Sequence, residues 1–535
     1  MIRLFVFNNA SRAANYGIGT YIKQLSGCLH KWDDAKVSFV EINADTKEFV
    51  ITKDAQGHLH YQIPVLSGGK ESDNDCRIIF YLLSRHIDNM ENDKLVFQFN
   101  YFQHRQLAEL LKGYYINSRI ILTVHYLGWC FELKGNYTTF RQILSHDDSI
   151  EEAVKHRVMT SYENEKRFLY LADEVLVLSK WAKKILVEDY KVSEEKLHTI
   201  YNGLETISPF SRKPHSTLRK ILFVGRLDEI KGVEYLIKAF KKIVSKYKDT
   251  HLVIVGEGNF QSYLSLCREI HGSVSFWGKI SGEELEDIYQ SAYIGILPSF
   301  HEQCSYSMIE MMRHGIPVVG TDSTGLSEML DYTPHLRVSI NENKFDEENF
   351  VDQLTACMDT LLSDDKIYQE ASKSARLLYD ERYQARTMLQ RFQQVLHISF
   401  SRPDYVVSPD YFIQMDYRMF QLINQQPDID VDFFGLSGIG VYLWWRVLNL
   451  GTKGNEYHLS MIQEHLIYYI DWLLEVAESA LLPIEMIATL KSMHLYGFYK
   501  DAVSRLLAKQ KCIYDEMPSE REIIQNTFKI CNCKV

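Results

Sequence analysis

Along most of this chain, short apolar runs rich in β-branched and aromatic residues alternate with longer segments of helical period. That alternation narrows the fold most, because parallel strands can be joined only through long crossovers, which are usually helices. The first series of strands reads Ile2–Phe7, Val37–Ile42, Leu95–Phe99, Ile120–Val124 and Glu174–Leu178, with helices such as Tyr21–Leu29 and Ser179–Tyr190 between them. The stretch Tyr201–Pro214, rich in Asn, Gly, Ser and Pro, breaks the pattern. A second series then opens with Lys220–Val224, His251–Val255, Val274–Phe276, Ile294–Leu297 and Pro317–Gly320. Two doubly wound α/β domains are expected, with a ligand cleft between the carboxyl ends of their strands.

Helical period continues through Asp365–His397, and the next segment, Ser401–Asp432, has six Asp and three Pro but little period, so it reads as a linker. From Gly435 onward the segments Gly435–Leu450, His458–Ala477, Pro483–Tyr499 and Ala502–Lys511 carry apolar residues at three- and four-residue spacing, which predicts a third, all-helical module.

The 535 residues suffice for about three domains of roughly 150 residues each. A net charge of -11 with both signs dispersed excludes a broad basic face of the kind nucleic acid requires, so no nucleic-acid partner is expected and any bound anion must be held locally. The nine cysteines form no framework, which fits reduced thiols of a cytoplasmic protein; Cys531 and Cys533 have no second half of a zinc site nearby. The opening run is too short for a signal peptide, and no apolar stretch reaches the ~18 residues of a membrane span. Peripheral contact with the inner membrane through a surface helix stays open.

The most informative segment is Phe300-His-Glu302-Gln-Cys304-Ser-Tyr306-Ser-Met-Ile-Glu310-Met-Met-Arg-His-Gly315-Ile-Pro317-Val-Val-Gly320. It follows a strand, so Glu302 falls in a loop and Glu310 in the helix after it. A loop-to-helix junction presents free N–H groups and the positive end of a dipole to an anion. Two carboxylates eight residues apart can accept hydrogen bonds from separate ligand hydroxyls, although two solvated helix glutamates would look the same. A second strand-turn-helix, Ile221-Leu-Phe-Val-Gly225-Arg226-Leu-Asp-Glu-Ile-Lys231-Gly232, supplies a guanidinium fork and a point charge suited to a diphosphate. The plainer reading of Arg226 is a strand-end partner for a glutamate.

This set of motifs resembles the retaining family-4 glycosyltransferases of GT-B fold. Glu302 and Glu310 match their E-x7-E motif, Ser323-Thr-Gly325-Leu-Ser-Glu328 resembles the stretch that follows it, and Arg226 with Lys231 matches G-R-x4-K-G. The resemblance implies GT-B architecture, two Rossmann-like doubly wound domains facing a cleft, plus a C-terminal all-helical extension. It divides the chain into an acceptor domain at 1–205, a nucleotide-sugar domain at 206–380, a helix at 381–400 returning to the first domain, and a linker with helical extension at 401–535. By the same resemblance Glu302 faces the donor sugar, Glu310 the ribose, Arg226 and Lys231 the leaving diphosphate, and the backbone of Cys304, Ser305 and Tyr306 the sugar and phosphate. The family often has glycines where Gln303 and Ser305 stand here, which bears on the loop's shape.

Further loops resemble parts of the same donor site. Val255-Gly256-Glu257-Gly258 resembles a V-G-x-G turn, and Phe276-Trp277-Gly278-Lys279-Ile280 the loop whose backbone reads the nucleobase. Asn15-Tyr16-Gly17-Ile18-Gly19-Thr20-Tyr21 resembles a G-I-G-R-Y loop facing phosphate or acceptor, with Gly17 and Gly19 at the helix end; a structural glycine pair would look alike. His125 ends a strand where the family places a histidine beside the donor sugar, and Asn202-Gly203 reads as hinge geometry before the domain crossover.

The D-x-D spacings at Asp73/Asp75 and Asp428/Asp430/Asp432 fall in polar connecting segments, so no divalent clamp is expected. The implied activity is transfer of a hexose-type sugar, with retention, from a UDP- or GDP-linked donor as co-substrate, without other cofactor, to an acceptor hydroxyl on a glycan, lipid or peptide. A front-face displacement is favoured over a covalent intermediate on Glu302. Phe433-Phe-Gly435-Leu-Ser-Gly438-Ile-Gly440 resembles a G-L-S-G-I-G element of lanthionine-synthetase C-like toroids, and the whole chain resembles glycosyltransferases encoded with peptide-modification systems in Bacteroidetes. The tail could serve as a packing appendage or an oligomer contact. A same-fold sugar epimerase or phosphorylase, and a non-catalytic nucleotide-sugar or peptide binder, are the competing readings.

Overall fold

A computed structural model describes residues 1–9, 17–29, 34–66, 73–84, 94–115, 118–145, 149–206, 218–280, 282–342, 344–401, 456–476 and 484–516, with a few single residues between them. The expected helix Gly435–Leu450, the segment Phe433–Gly438, Asp428/Asp430/Asp432 and Cys531/Cys533 lie largely or wholly outside those residues.

The first sheet has eight strands, β1 (Ile2–Asn9), β2 (Ala35–Ala44), β3 (Val50–Lys53), β4 (Leu59–Pro64), β5 (Lys94–Phe99), β6 (Arg119–Val124), β7 (Glu174–Val177) and β8 (Leu197–Thr199). Their order is β3-β4-β2-β1-β5-β6-β7-β8, parallel throughout except for the antiparallel edge pair β3–β4. The second sheet is wholly parallel and comprises β9 (Arg219–Val224), β10 (Thr250–Val255), β11 (Val274–Phe276), β12 (Ala292–Leu297), β13 (Val318–Thr321) and β14 (Arg337–Val338). Its order, β11-β10-β9-β12-β13-β14, is the dinucleotide-binding 3-2-1-4-5-6 arrangement, with its switch point between β9 and β12.

Strands buried on both faces lose the polar alternation of half-exposed ones. Every residue of β7 and of β12 is buried, which is why Val175–Val177 and β12 appear in the sequence as unbroken apolar runs. One apolar core lines the other face of the first sheet, from Phe5 and Phe97 to Leu186, and another lines the second, from Ile221 to Leu361. A further core is continuous across the domains, joining Leu4, Tyr21 and Leu25 to Leu222, Met308 and Met312.

The expected helical stretch Asp365–His397 is two helices, Asp365–Arg382 and Ala385–Ser401. The second packs on helix Gly17–Leu29 of the first domain and brings Met388, Phe392 and Leu396 into the shared core. The described part of the tail is helical, at Glu456–Val476, Ile484–Leu495 and Lys500–Glu516, around its own core of Trp444, Leu466, Ile470, Met486 and Val503. Helix Ile484–Leu495 rests against helices Asp73–Ser84 and Arg105–Tyr114 of the first domain. Asp73 and Asp75 therefore start a helix instead of lying in a connecting segment, and Asp75 is buried.

Candidate active site

The strand ends of the two sheets face each other across a cleft of about 700 Å³. From the first domain it takes Gly17 and Ile18 after β1 and His125 after β6. From the second it takes Gly225, Arg226 and Lys231 after β9, Gly256 after β10, Lys279 and Ile280 after β11, and Glu302, Ser305, Tyr306 and Glu310 after β12. Two expected residues do not line it. Gly19 sits inside the first turn of its helix, and Cys304 is buried with its carbonyl held by Asn202 Nδ2 at 2.7 Å and its thiol pushed far up by burial. Asn15 and Tyr16 lie outside the described residues.

Lys231 Nζ donates to Glu302 Oε1 at 2.5 Å, and Ser299 Oγ approaches the same oxygen at 3.4 Å. The Glu302 backbone is fixed from both sides: its N–H donates to Thr324 Oγ1 at 3.0 Å, and its carbonyl accepts from Thr324 Oγ1 at 2.6 Å and Gly325 N at 2.8 Å. Arg226 is paired with Asp228 at 3.1 Å. Glu310 is half-buried beside Tyr289, whose hydroxyl donates to Oε2 at 2.5 Å, and desolvation raises its carboxyl above the usual range. Ser305 opens helix Tyr306–Arg313 without a side-chain cap, so the first N–H groups of that helix are left for whatever occupies the cleft.

His125 is half-buried at the cleft wall, and desolvation lowers its imidazole to about 3, so the ring is neutral at working pH. Asn100 spends its amide nitrogen on the Phe7 carbonyl at 2.9 Å, so its oxygen takes the proton of His125 Nε2, also at 2.9 Å. Nδ1 is thereby an acceptor. Tyr21 meets the ring edge-on at 4.8 Å.

Three turns of the second domain are laced through their backbones. Gly225 N donates to Val255 O at 3.0 Å, Gly256 N to Gly278 O at 2.8 Å, and Leu227 N to Glu257 O at 2.9 Å. Gly256 has φ +148°, and a Cβ there would stand 1.7 Å from the Gly225 carbonyl. Only glycine allows this approach.

Residues 219–364 match the family model for Glycosyl transferases group 1. An uncharacterised glycosyltransferase of Methanocaldococcus jannaschii is 33% identical over 179 residues, 30% of this chain and 46% of that protein. Mannosylfructose-phosphate synthase of Agrobacterium fabrum is 26% identical over 198 residues, 33% of this chain and 43% of that enzyme. The chain thus spans about half the length of the curated relatives it matches. Sucrose-phosphate synthase from Thermosynechococcus elongatus superposes with a TM-score of 0.59 at 18% identity, covering 75% of this chain and 100% of that one. Anabaena HepE, solved with UDP and glucose, gives 0.52 at 13% identity over 74% of this chain and 100% of that one. The two-domain body has the GT-B fold.

The second domain supplies Glu302, Glu310, Arg226 and Lys231 to the cleft; the first domain closes it and is tied down by two carboxylates. Glu328 accepts from Lys180 N at 2.9 and 3.2 Å, at the start of helix Lys180–Glu188, and burial raises it to about 7. Glu342 Oε2 accepts from Thr138 N at 2.9 Å and Thr138 Oγ1 at 3.0 Å at the start of helix Tyr137–Leu144, while Asn136 Nδ2 donates to the Glu342 carbonyl at 2.9 Å. Each is an acid at a helix N-terminus in the opposite domain. A larger interdomain cavity, about 1060 Å³, lies beyond Phe300 and is lined by Asn136, Trp181, Tyr235, Asp322 and Glu342, but it holds none of the expected site residues.

Sequence reasoning did not single out Tyr289, Thr324, His301 or Asn100. Tyr289 and Asn100 come from elements remote in sequence from the motifs they serve, so only the fold reveals them. Thr324 and His301 stand inside quoted segments and could have been weighed there.

Proposed function

We propose that this chain is a retaining glycosyltransferase that moves a hexose-type sugar from a nucleotide-diphosphate donor to an acceptor hydroxyl on a glycan, lipid or peptide. One observation carries the reading: Arg226, Lys231, Glu302, Glu310 and His125, drawn from three strand ends and two domains, meet in one cleft. The group 1 match and the two curated relatives support it.

Arg226, Lys231 and the N-terminus of helix Tyr306–Arg313 meet the charge that develops on the departing diphosphate, a preorganised electrostatic site. The diphosphate draws Lys231 away from Glu302, which then accepts from sugar hydroxyls, and Glu310 accepts from the ribose. The bond from the anomeric carbon to the phosphate oxygen breaks, the acceptor oxygen bonds to that carbon on the same face, and the acceptor proton passes to the phosphate oxygen. Neutral His125 positions a hydroxyl through its free lone pair. With cationic side chains in this role, the reaction needs no divalent ion, and turnover in excess EDTA is expected to equal turnover with magnesium.

A thermal-shift panel of UDP- and GDP-sugars tests the reading, because a ligand that binds only the native state raises stability by mass action. A rise with one nucleotide series, followed by sugar transfer to an acceptor, is expected. No shift with any nucleotide overturns it, and free sugar or an isomerised donor without transfer points to the epimerase or phosphorylase reading.

A further inference from the structure

The loop between β12 and helix Tyr306–Arg313 carries two side chains whose polar atoms have no partner in the protein. Both ring nitrogens of His301 and both amide atoms of Gln303 are unbonded. The two residues are 7% and 5% exposed, and both line the cleft on either side of Glu302. Buried polar groups are nearly always hydrogen-bonded, so four unbonded atoms at one point of a cleft mark a place for a bound molecule.

The loop cannot relieve them by moving. His301 packs against a pair of indoles that also meet each other, 6.5 Å from Trp129 and 5.6 Å from Trp181. Gln303 is pinned through its carbonyl, which lies so close to Gly325 that a Cβ there would stand 1.8 Å from it. On the near side Lys231 and Glu302 already offset each other.

The chemistry of the missing partner follows from what these groups offer. Burial, helped by the Lys231 charge, lowers the His301 imidazole to about 3, so it presents one N–H donor and one acceptor. Gln303 presents two donors and an acceptor. Both are neutral and two-sided, suited to groups that both give and take a hydrogen bond, namely hydroxyls or an N-acyl amide. Neither can neutralise a carboxylate, and the cation nearby, Lys231, is committed to Glu302 and to the diphosphate, so a hexuronate carboxylate would be desolvated beside the Glu302 charge.

We propose that His301 and Gln303 select the donor's sugar, admitting an uncharged hexose or N-acylhexosamine and excluding a hexuronate. This rests on the donor-binding reading above, which places a sugar beside Glu302. A site built to hydrogen-bond a substrate discriminates strongly, because a wrong ligand leaves its buried polar groups unpaired.

The test is titration calorimetry on the full chain with UDP, UDP-glucose, UDP-N-acetylglucosamine and UDP-glucuronate, and with GDP, GDP-mannose and GDP-mannuronate. In the unaltered protein, one neutral nucleotide sugar is expected to bind at least tenfold tighter than the hexuronate on the same base. Gln303→Met, which keeps the shape and loses the amide, and His301→Phe, which keeps the ring, are each expected to shrink that ratio about tenfold. Binding of the nucleotide alone reports in every variant that the rest of the site is intact. A preference for the hexuronate, or an unchanged ratio in both variants, overturns the proposal while nucleotide binding keeps the donor reading. Absence of nucleotide binding in the unaltered protein overturns both.

Discussion

Glu302 and Glu310 belong to one motif, yet the protein treats them differently. Glu302 is held against Lys231, whereas Glu310 takes a tyrosine hydroxyl and is raised by desolvation. The motif spacing made both carboxylates visible in the sequence, but nothing in it showed that Tyr289 would cover one of them. Arg226 should act in the transition state more than in binding. Arg226→Ala is expected to lower kcat by on the order of 10²–10³, about 2–4 kcal/mol, with the thermal midpoint unchanged, as steady-state kinetics would show. A different carboxyl sets a pH response. Glu165 is buried under Tyr190 and Gly128, and burial raises it to about 7 from 4.5. The native state keeps a proton that the unfolded chain releases, so stability from this group falls as pH rises from about 4.5 to 7. Glu165→Gln is expected to remove that fall, roughly 3 kcal/mol across the window, in denaturant midpoints measured at pH 5 and 8.

The strands that build the cleft were legible because each is an apolar run bounded by turn residues, and Ile221–Val224 or Ile294–Leu297 could hardly be anything else. The missed strands are those for which that signal fails. β8 and β14 have three and two residues, too few for any period, the edge strand β3 is exposed along most of its length, and β4, also missed, mixes His60 and Gln62 into a short run that ends in proline. The glycines of the second domain were legible as turns but not as contacts. The carbonyl of Gly225 fills the place a Gly256 side chain would take, which requires both turns in three dimensions. Gly256→Ala is expected to cost about 2–4 kcal/mol and to force the two turns apart, seen as a lower thermal midpoint and weakened nucleotide binding. Gln303 and Ser305, where the resemblance implied glycines, stand in a β12 loop whose backbone is anchored at Glu302 on Thr324 and Gly325.

Across the whole molecule, the two domains are joined by more than their crossover. Glu328 and Glu342 each cap a helix of the opposite domain, so closure has a defined geometry. Glu342→Ala is expected to remove about 1 kcal/mol of that linkage and to give a larger radius of gyration in small-angle scattering without ligand, with both domains still folded. That there are two parallel-dominated sheets followed from the alternation in the sequence; their strand orders did not. The docking of helix Ile484–Leu495 on the first domain did not, because helical period shows that a face is apolar and not what it will meet.

The return of helix Ala385–Ser401 to helix Gly17–Leu29 has a consequence for biogenesis. On the ribosome, Ile18, Tyr21, Ile22 and Leu25 emerge early, yet the residues that cover them, Met388 and Phe392 among them, follow more than 350 positions later. At about 5–20 residues per second the nascent first domain waits on the order of 20–70 s with that greasy flank open, a window in which chaperone capture competes with aggregation.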